Sequence, residues 1–176
     1  MGKNSVNGSG GVAAEIELLL NLFDQAYQKK AWHGPNLRGS IRGLTAAQAS
    51  WRPNPGRRSI ADIVVHAAYW KYAVRRRLRG DKRGSFPLKG SNWFTLPEPL
   101  PEEMWRHYVT LLQEQHRALR SAVAELPASE LPNRARGSRT PNATLILGIA
   151  AHDLYHAGQI QLLKRLEAGS GSGTGA

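Results

Sequence analysis

Cysteine is missing from this chain altogether, which excludes disulfides and every metal site built on thiolates. Any thiol chemistry must use a thiol supplied from outside. Long apolar runs are missing too. The hydrophobic stretch after residue 11 is broken by Glu15, Glu17 and Asp24, and no segment approaches the roughly 20 apolar residues that span a bilayer. Residues 1–11 show no signal-peptide plan. The expectation is a soluble cytoplasmic protein with no membrane partner. Period-two alternation is also absent, so no strand is expected. What is present is a chain of 176 residues, 41% of them hydrophobic, enough for one domain with a real core.

Acidic residues are scarce. Thirteen Asp and Glu stand against 24 Lys and Arg, for a net charge of +11. Such an excess suits nucleic acid or small anionic ligands, and it suits solubility alone equally well. The densest run, residues 71–83, includes Arg75, Arg76, Arg77, Arg79 and Arg83. Cations are favoured near a helix C-terminus. No nucleic-acid motif accompanies the run, so it reads as a solvated helix end and no nucleic-acid partner is expected.

Residues 1–11 and 168–176 are rich in Gly, Ser or Asn and are expected to be a disordered segment and a flexible tail. Residues 12–167 form the domain. Four long helical patterns lie within it. Val12, Ile16, Leu19, Phe23 and Tyr27 recur at the helical period over residues 12–31. A break follows at Trp32, His33, Gly34 and Pro35, where Pro35 suits a first helical position. Thr45 with Gln48 resembles a capping box, and Pro53 to Gly56 is a loop. The second long helix starts at Ser59, a suitable N-cap, and ends near Gly80, with Ile60, Ile63, Val64, Ala67, Trp70, Val74 and Leu78 inward. The third spans residues 101–126 with Trp105, Tyr108, Val109, Leu112, Leu119 and Val123. The fourth spans residues 141–167 with Leu145, Ile149, Ile160, Leu163 and Leu166. Four such helices imply an all-α four-helix bundle. The long Gly- and Pro-bearing link over residues 81–100 suits a crossover between the second and third.

The strongest chemical signal is His152 with His156. Residues four apart lie about 40° apart on one helix face, and this pair sits amid the apolar stripe of the fourth helix. Buried imidazoles need partners, because an unpaired buried polar group costs about 1–3 kcal/mol. One metal ion satisfies both at once. A zinc-protease motif would need Glu directly after the first His, and Asp153 stands there instead. His66, at the edge of the second helix's apolar arc, supplies a third inward imidazole. Three imidazoles from two helices leave coordination positions open, the mark of a catalytic site. Asp62, four residues before His66, and Gln159, three after His156, are candidates to orient the ligand rings. Trp70, Tyr69 and Tyr155 flank the ligands and are candidates for an apolar pocket wall. His116 falls on the inward face of the third helix, as a hydrogen-bonded core residue or a pocket residue. His33 lies at the break after the first helix, as a pocket mouth or a local cap. His107 points outward.

Three segments resemble the DinB-like (DinB/YfiT) family. Residues 59–70, from Ser59 through His66 to Trp70, are similar to its second helix. Residues 151–160, which read Ala-His-Asp-Leu-Tyr-His-Ala-Gly-Gln-Ile, are similar to its last helix, and residues 44–53 to the segment before its second helix. The resemblance covers residues 12–166. It implies an up-down-down-up bundle, and one divalent metal ion, zinc or nickel, on His66, His152 and His156. It also implies a homodimer and an activity among the thiol-dependent S-transferases, with a low-molecular-weight thiol as co-substrate and a small-molecule substrate. A metal-dependent hydrolase and a non-catalytic metal-binding stress-response protein are the alternatives.

Overall fold

A computed structural model describes residues 11–135 and 138–170. The expected disordered segment before residue 11 and the tail from residue 171 lie outside the described residues, as does the side chain of Val12. In chain order the helices are α1 (Gly11–Tyr27), α2 (Leu37–Ser40), α3 (Ala46–Ser50), α4 (Ile60–Arg79), α5 (Glu102–Ala124) and α6 (Asn142–Ser170), with a 3-10 turn at Ala128–Glu130 between the last two. No strand occurs among the described residues, only two isolated bridges.

Local chemistry sets the helix ends. Thr45 and Gln48 close a capping box on α3, and Ser59 and Asp62 close one on α4. Each such cap is worth about 1 kcal/mol. At the far end of α4, Gly80 takes the left-handed conformation at φ 72°, which costs glycine little. Arg76, Arg77 and Arg79 occupy that last turn, where the helix dipole favours cations. Three details differ from the sequence pattern. The first helix stops at Tyr27 rather than residue 31, because the Asp24 carbonyl accepts from both Gln28 and Lys29 N–H groups. Asn36, not Pro35, opens α2: its side chain accepts from Gly39 N–H at 2.8 Å. The last helix runs past residue 167 to Ser170, and Leu166, expected inward, is exposed.

The core divides into two clusters, and their membership gives the helix directions. One joins Tyr27 at the end of α1, Ile60 to Ala68 of α4, Trp105 to Leu112 of α5, and Ile160 of α6. The other joins Ile16 and Phe23 of α1, Val74 of α4, Leu119 and Val123 of α5, and Ile146 to Ala150 of α6. The first halves of α4 and α5 therefore lie together, as do their second halves, so these two helices run the same way. By the same test α1 and α6 run the opposite way. Arg79 and Glu125, at the C-terminal ends of α4 and α5, pair at 2.7 Å, which fits that direction. Each fully buried Leu, Ile or Phe in these clusters contributes about 1.5–3 kcal/mol.

The long link between α4 and α5 does more than cross the bundle. Phe94 and Leu100 are buried, and Phe86, Leu88 and Leu96 pack beside them. Tyr69, Tyr72, Phe86 and Phe94 form a continuous aromatic cluster with ring centroids 5.3–6.2 Å apart. This packing fixes the link against α4 and carries Asn92 and Trp93 to His66.

Candidate metal centre

His66 sits on the inward face of α4, between the buried residues Val65 and Ala67. His152 and His156 share one face of α6. The two helices pack together, and the three side chains meet. The Nε2 atoms of His66 and His152 are 3.1 Å apart, and those of His156 and His152 are 3.0 Å apart. His66 and His156 are buried and His152 is half-buried.

The opposite ring nitrogens decide which way the lone pairs point. His66 Nδ1 lies 2.9 Å from the Asn92 carbonyl oxygen, and His156 Nδ1 lies 2.7 Å from Gln159 Oε1. Both oxygens are acceptors, so each Nδ1 carries the proton and each Nε2 presents a lone pair. Gln159 is itself oriented, since its Nε2 donates to the Tyr155 hydroxyl at 3.0 Å. Nδ1 of His152 is buried and has no partner among the described residues. Whichever nitrogen of His152 carries the proton, one of its two nitrogens stays unsatisfied by protein.

All three imidazoles are held neutral. Burial pushes His152 down to about 3, helped by His156, His66 and Lys71. Burial pushes His156 down to about 4, against its bond to Gln159 and with help from His66. His66 is lowered by burial first and by Arg58, with the Asn92 carbonyl opposing. Neutral imidazole is the ligand form. Metal–nitrogen bonds of about 2.0–2.1 Å at angles of about 90–110° put the nitrogens roughly 2.9–3.4 Å apart, and the two spacings above fall in that interval. All three donor atoms lie within 4.8 Å of one another, so the set can hold one divalent ion.

The other sequence candidates distribute unevenly. Trp70 is close: its ring meets His66 edge-on at 6.4 Å, and its Nε1 donates to Asn92 Oδ1 at 3.0 Å. The ring of Tyr155, which is exposed, lies 5.2 Å from that of His156. Asp62 is a correction. Its carboxylate accepts from Ser59 and Arg52 and does not touch His66, because the capping box holds it at the start of α4. His116 is a second correction. It is buried among Phe23 and Tyr27, stacked on their rings at 4.5 and 3.7 Å, and neither ring nitrogen has a hydrogen bond among the described residues. His33 stands exposed between α1 and α2 and makes no contact with the three histidines.

Two residues escaped the sequence reading. Asn92 holds His66 through its carbonyl and Trp70 through its side chain, in a left-handed conformation at φ 65°. Asparagine is one of the few non-glycine residues at ease there, so Gly90-Ser91-Asn92 carried a turn signal. Trp93 stacks on His66 at 3.9 Å and 9°, with the Arg58 guanidinium 4.7 Å from its ring. No periodicity marks either residue, because both come from irregular backbone.

A crevice of about 160 Å³ reaches His152 and is lined by Trp70, Val74, Leu145 and Ile149, with Arg77 among its walls. No described helix is long and apolar enough to cross a membrane. Neither a curated protein nor a solved structure matches the chain. The sequence model of one family, described as the DinB superfamily, matches residues 31–160. That span includes α2 through most of α6 and all three histidines, and the chain belongs to the DinB superfamily.

Proposed function

We propose that the chain is a divalent-metal-dependent enzyme that transfers a low-molecular-weight thiol to a small electrophilic substrate in the cytoplasm. The observation that carries the reading is the convergence of three neutral imidazoles, two with lone pairs aimed inward by Asn92 and Gln159. Three protein ligands leave positions open for a sulfur or oxygen ligand. Zinc and nickel both suit an all-imidazole set. When bound, the ion supplies a lowered thiol pKa, so that a thiolate forms at neutral pH.

The chain's own residues account for the rest. With no cysteine, it offers no competing protein thiol. The crevice walls Trp70, Val74, Leu145 and Ile149 take an apolar substrate group beside His152 and exclude water, and Arg77 meets an anionic substituent. The sulfur forms a bond to the electrophilic carbon, and the leaving group departs with the electron pair of the bond that breaks.

Elemental analysis tests the centre first. About one ion per chain is expected, lost in His66→Ala and His152→Ala. The loaded protein is then given glutathione and 4-nitrobenzyl chloride, and thiol consumption is followed. Turnover that disappears in both variants supports transfer. Ester hydrolysis without thiol consumption favours the hydrolase, and metal without turnover favours a non-catalytic binder. Absence of metal after reconstitution with zinc and nickel would sink all three.

A further inference from the structure

A broad, half-open concavity of about 1200 Å³ lies away from the histidines, built from the end of α1, the segment through α2 to Leu44, the first half of α5, and Gln161 of α6. None of His66, His152, His156, Asn92 or Gln159 lines it. Its walls carry Lys30, Arg38, Arg42 and Arg106 against a single acid, Glu102. Glu102 is already engaged, accepting from Ala46 N–H at 2.6 Å. None of the four cations forms an ion pair among the described residues.

The floor is of a different character. Ile41 and Trp105 are buried beneath it and Val109 borders it. Trp105 Nε1 is occupied by the Leu44 carbonyl at 2.8 Å, so its ring offers only apolar surface. Tyr27 completes the floor. It is 1% exposed, lines the cavity, and its hydroxyl has no hydrogen-bond partner among the described residues. Stacking on His116 at 3.7 Å holds its ring in place. Burial, with Asp153 nearby, pushes that hydroxyl well above its ordinary range, so it stays protonated and can donate.

A tyrosine hydroxyl with no hydrogen bond, four cations without carboxylate partners (Arg38 alone donates, to Gln28 Oε1 at 3.4 Å) and an apolar floor specify a ligand chemistry. Guanidinium groups match carboxylate and phosphate oxygens, and apolar floors take flat hydrocarbon. We propose that this cavity binds an amphiphilic anion, a small molecule with a flat apolar body against Ile41, Trp105 and Val109 and a carboxylate or phosphate group met by Arg42, Arg106 and the Tyr27 hydroxyl. The site is independent of the histidine centre and of whether that centre holds metal.

The full chain is titrated with 1-anilinonaphthalene-8-sulfonate, followed by fluorescence, and then competed with phenyl phosphate, benzoate and phenol. One saturable site is expected, displaced by at least one of the two anions and not by phenol. Which anion wins separates a phosphate from a carboxylate source. Hydrogen bonds to charged groups predict that Arg42→Glu/Arg106→Glu weakens binding about tenfold or more, and that Tyr27→Phe weakens it about threefold or more. Lys82→Glu/Arg134→Glu makes the same change in net charge away from the cavity and should stay within about twofold of the parent. Circular dichroism confirms that each variant is folded. No saturable site, displacement by phenol as good as by the anions, or an equal loss in the charge-matched control overturns the proposal.

Discussion

Two neighbours on α6, His152 and Asp153, enter two different buried polar clusters, and the clusters solve the same problem in opposite ways. Asp153 meets Lys71 of α4, both side chains fully buried. Burial lowers Lys71 and raises Asp153, and their mutual attraction opposes each shift. The pair carries its own counter-charge, and what it leaves over is one carboxylate oxygen, Asp153 Oδ1, buried with no hydrogen-bond partner among the described residues. His152 meets two more neutral bases and no acid. Lone pairs about 3 Å apart repel unless a proton or a cation lies between them. One cluster is therefore closed and ties α4 to α6, and the other is poised for a ligand. Both hang on the same helix rotation, since Lys71 lies five residues after His66 and Asp153 directly follows His152.

Breaking the closed cluster should cost most. Lys71→Met leaves the Asp153 carboxylate without its partner in the core, a loss of about 3–5 kcal/mol read as a fall in the denaturant midpoint. Lys71→Met/Asp153→Leu removes both charges and should recover most of that loss. If the double variant is no more stable than the single, the pair is not the charge-balanced unit described above. The open cluster should behave differently. His152→Ala is expected to cost little in metal-free protein, because it also relieves the crowded nitrogens. What it should abolish is stabilisation by metal, about 2.7 kcal/mol at a hundredfold excess over the dissociation constant. A thermal melt with and without zinc measures both effects.

A smaller effect separates the ligands from what orients them. Gln159→Leu keeps all three imidazoles and removes the acceptor at His156 Nδ1. Loss of such a partner lowers metal affinity about 10- to 100-fold. Asp62→Asn sharpens the contrast: its carboxylate caps α4 and does not reach His66, so affinity should stay within about twofold while stability falls by about 1 kcal/mol. Competition against a chelator gives the affinities, and an equal effect of the two changes would reassign Asp62 to the centre.

The same contrast explains what the sequence could reveal. His152, His156 and Gln159 lie on one helix face, and their spacing puts them together whatever the rest of the chain does. The apolar stripes of α4 and α5 are equally direct, and so are the caps at Thr45 and Ser59. Asp62 misled because four residues is a helical spacing both for reaching His66 and for standing at a helix start, and the cap won. Asn92 and Trp93 were hidden because a link's path depends on what its side chains bury, here Phe86 and Phe94 against Tyr69 and Tyr72. The Lys71–Asp153 pair was hidden because each residue alone looks like a surface charge, and only helix packing joins them across 82 positions.

His116 gives the mildest way to test the two modes of burial, because it belongs to neither. Stacked between Phe23 and Tyr27, it is pushed down to about 2, by burial first and then by Lys71, with Asp24 opposing. In the unfolded chain an imidazole takes up a proton near pH 6.5. In the folded protein this one does not until the pH is far lower. Its contribution is therefore fully present above about pH 6.5 and eroded as the pH falls from there towards the folded value. His152 and His156 erode stability in the same direction in metal-free protein, over windows ending near 3 and 4. Their share is restored by bound metal, whereas that of His116 is not. His116→Phe keeps the stack and removes the titration. Between pH 6.5 and 5.5 the parent should lose about 1 kcal/mol that the variant retains, with zinc present in both. Equal loss in parent and variant would mean that His116 takes up its proton in the folded state, and that the core around Tyr27 is open to water.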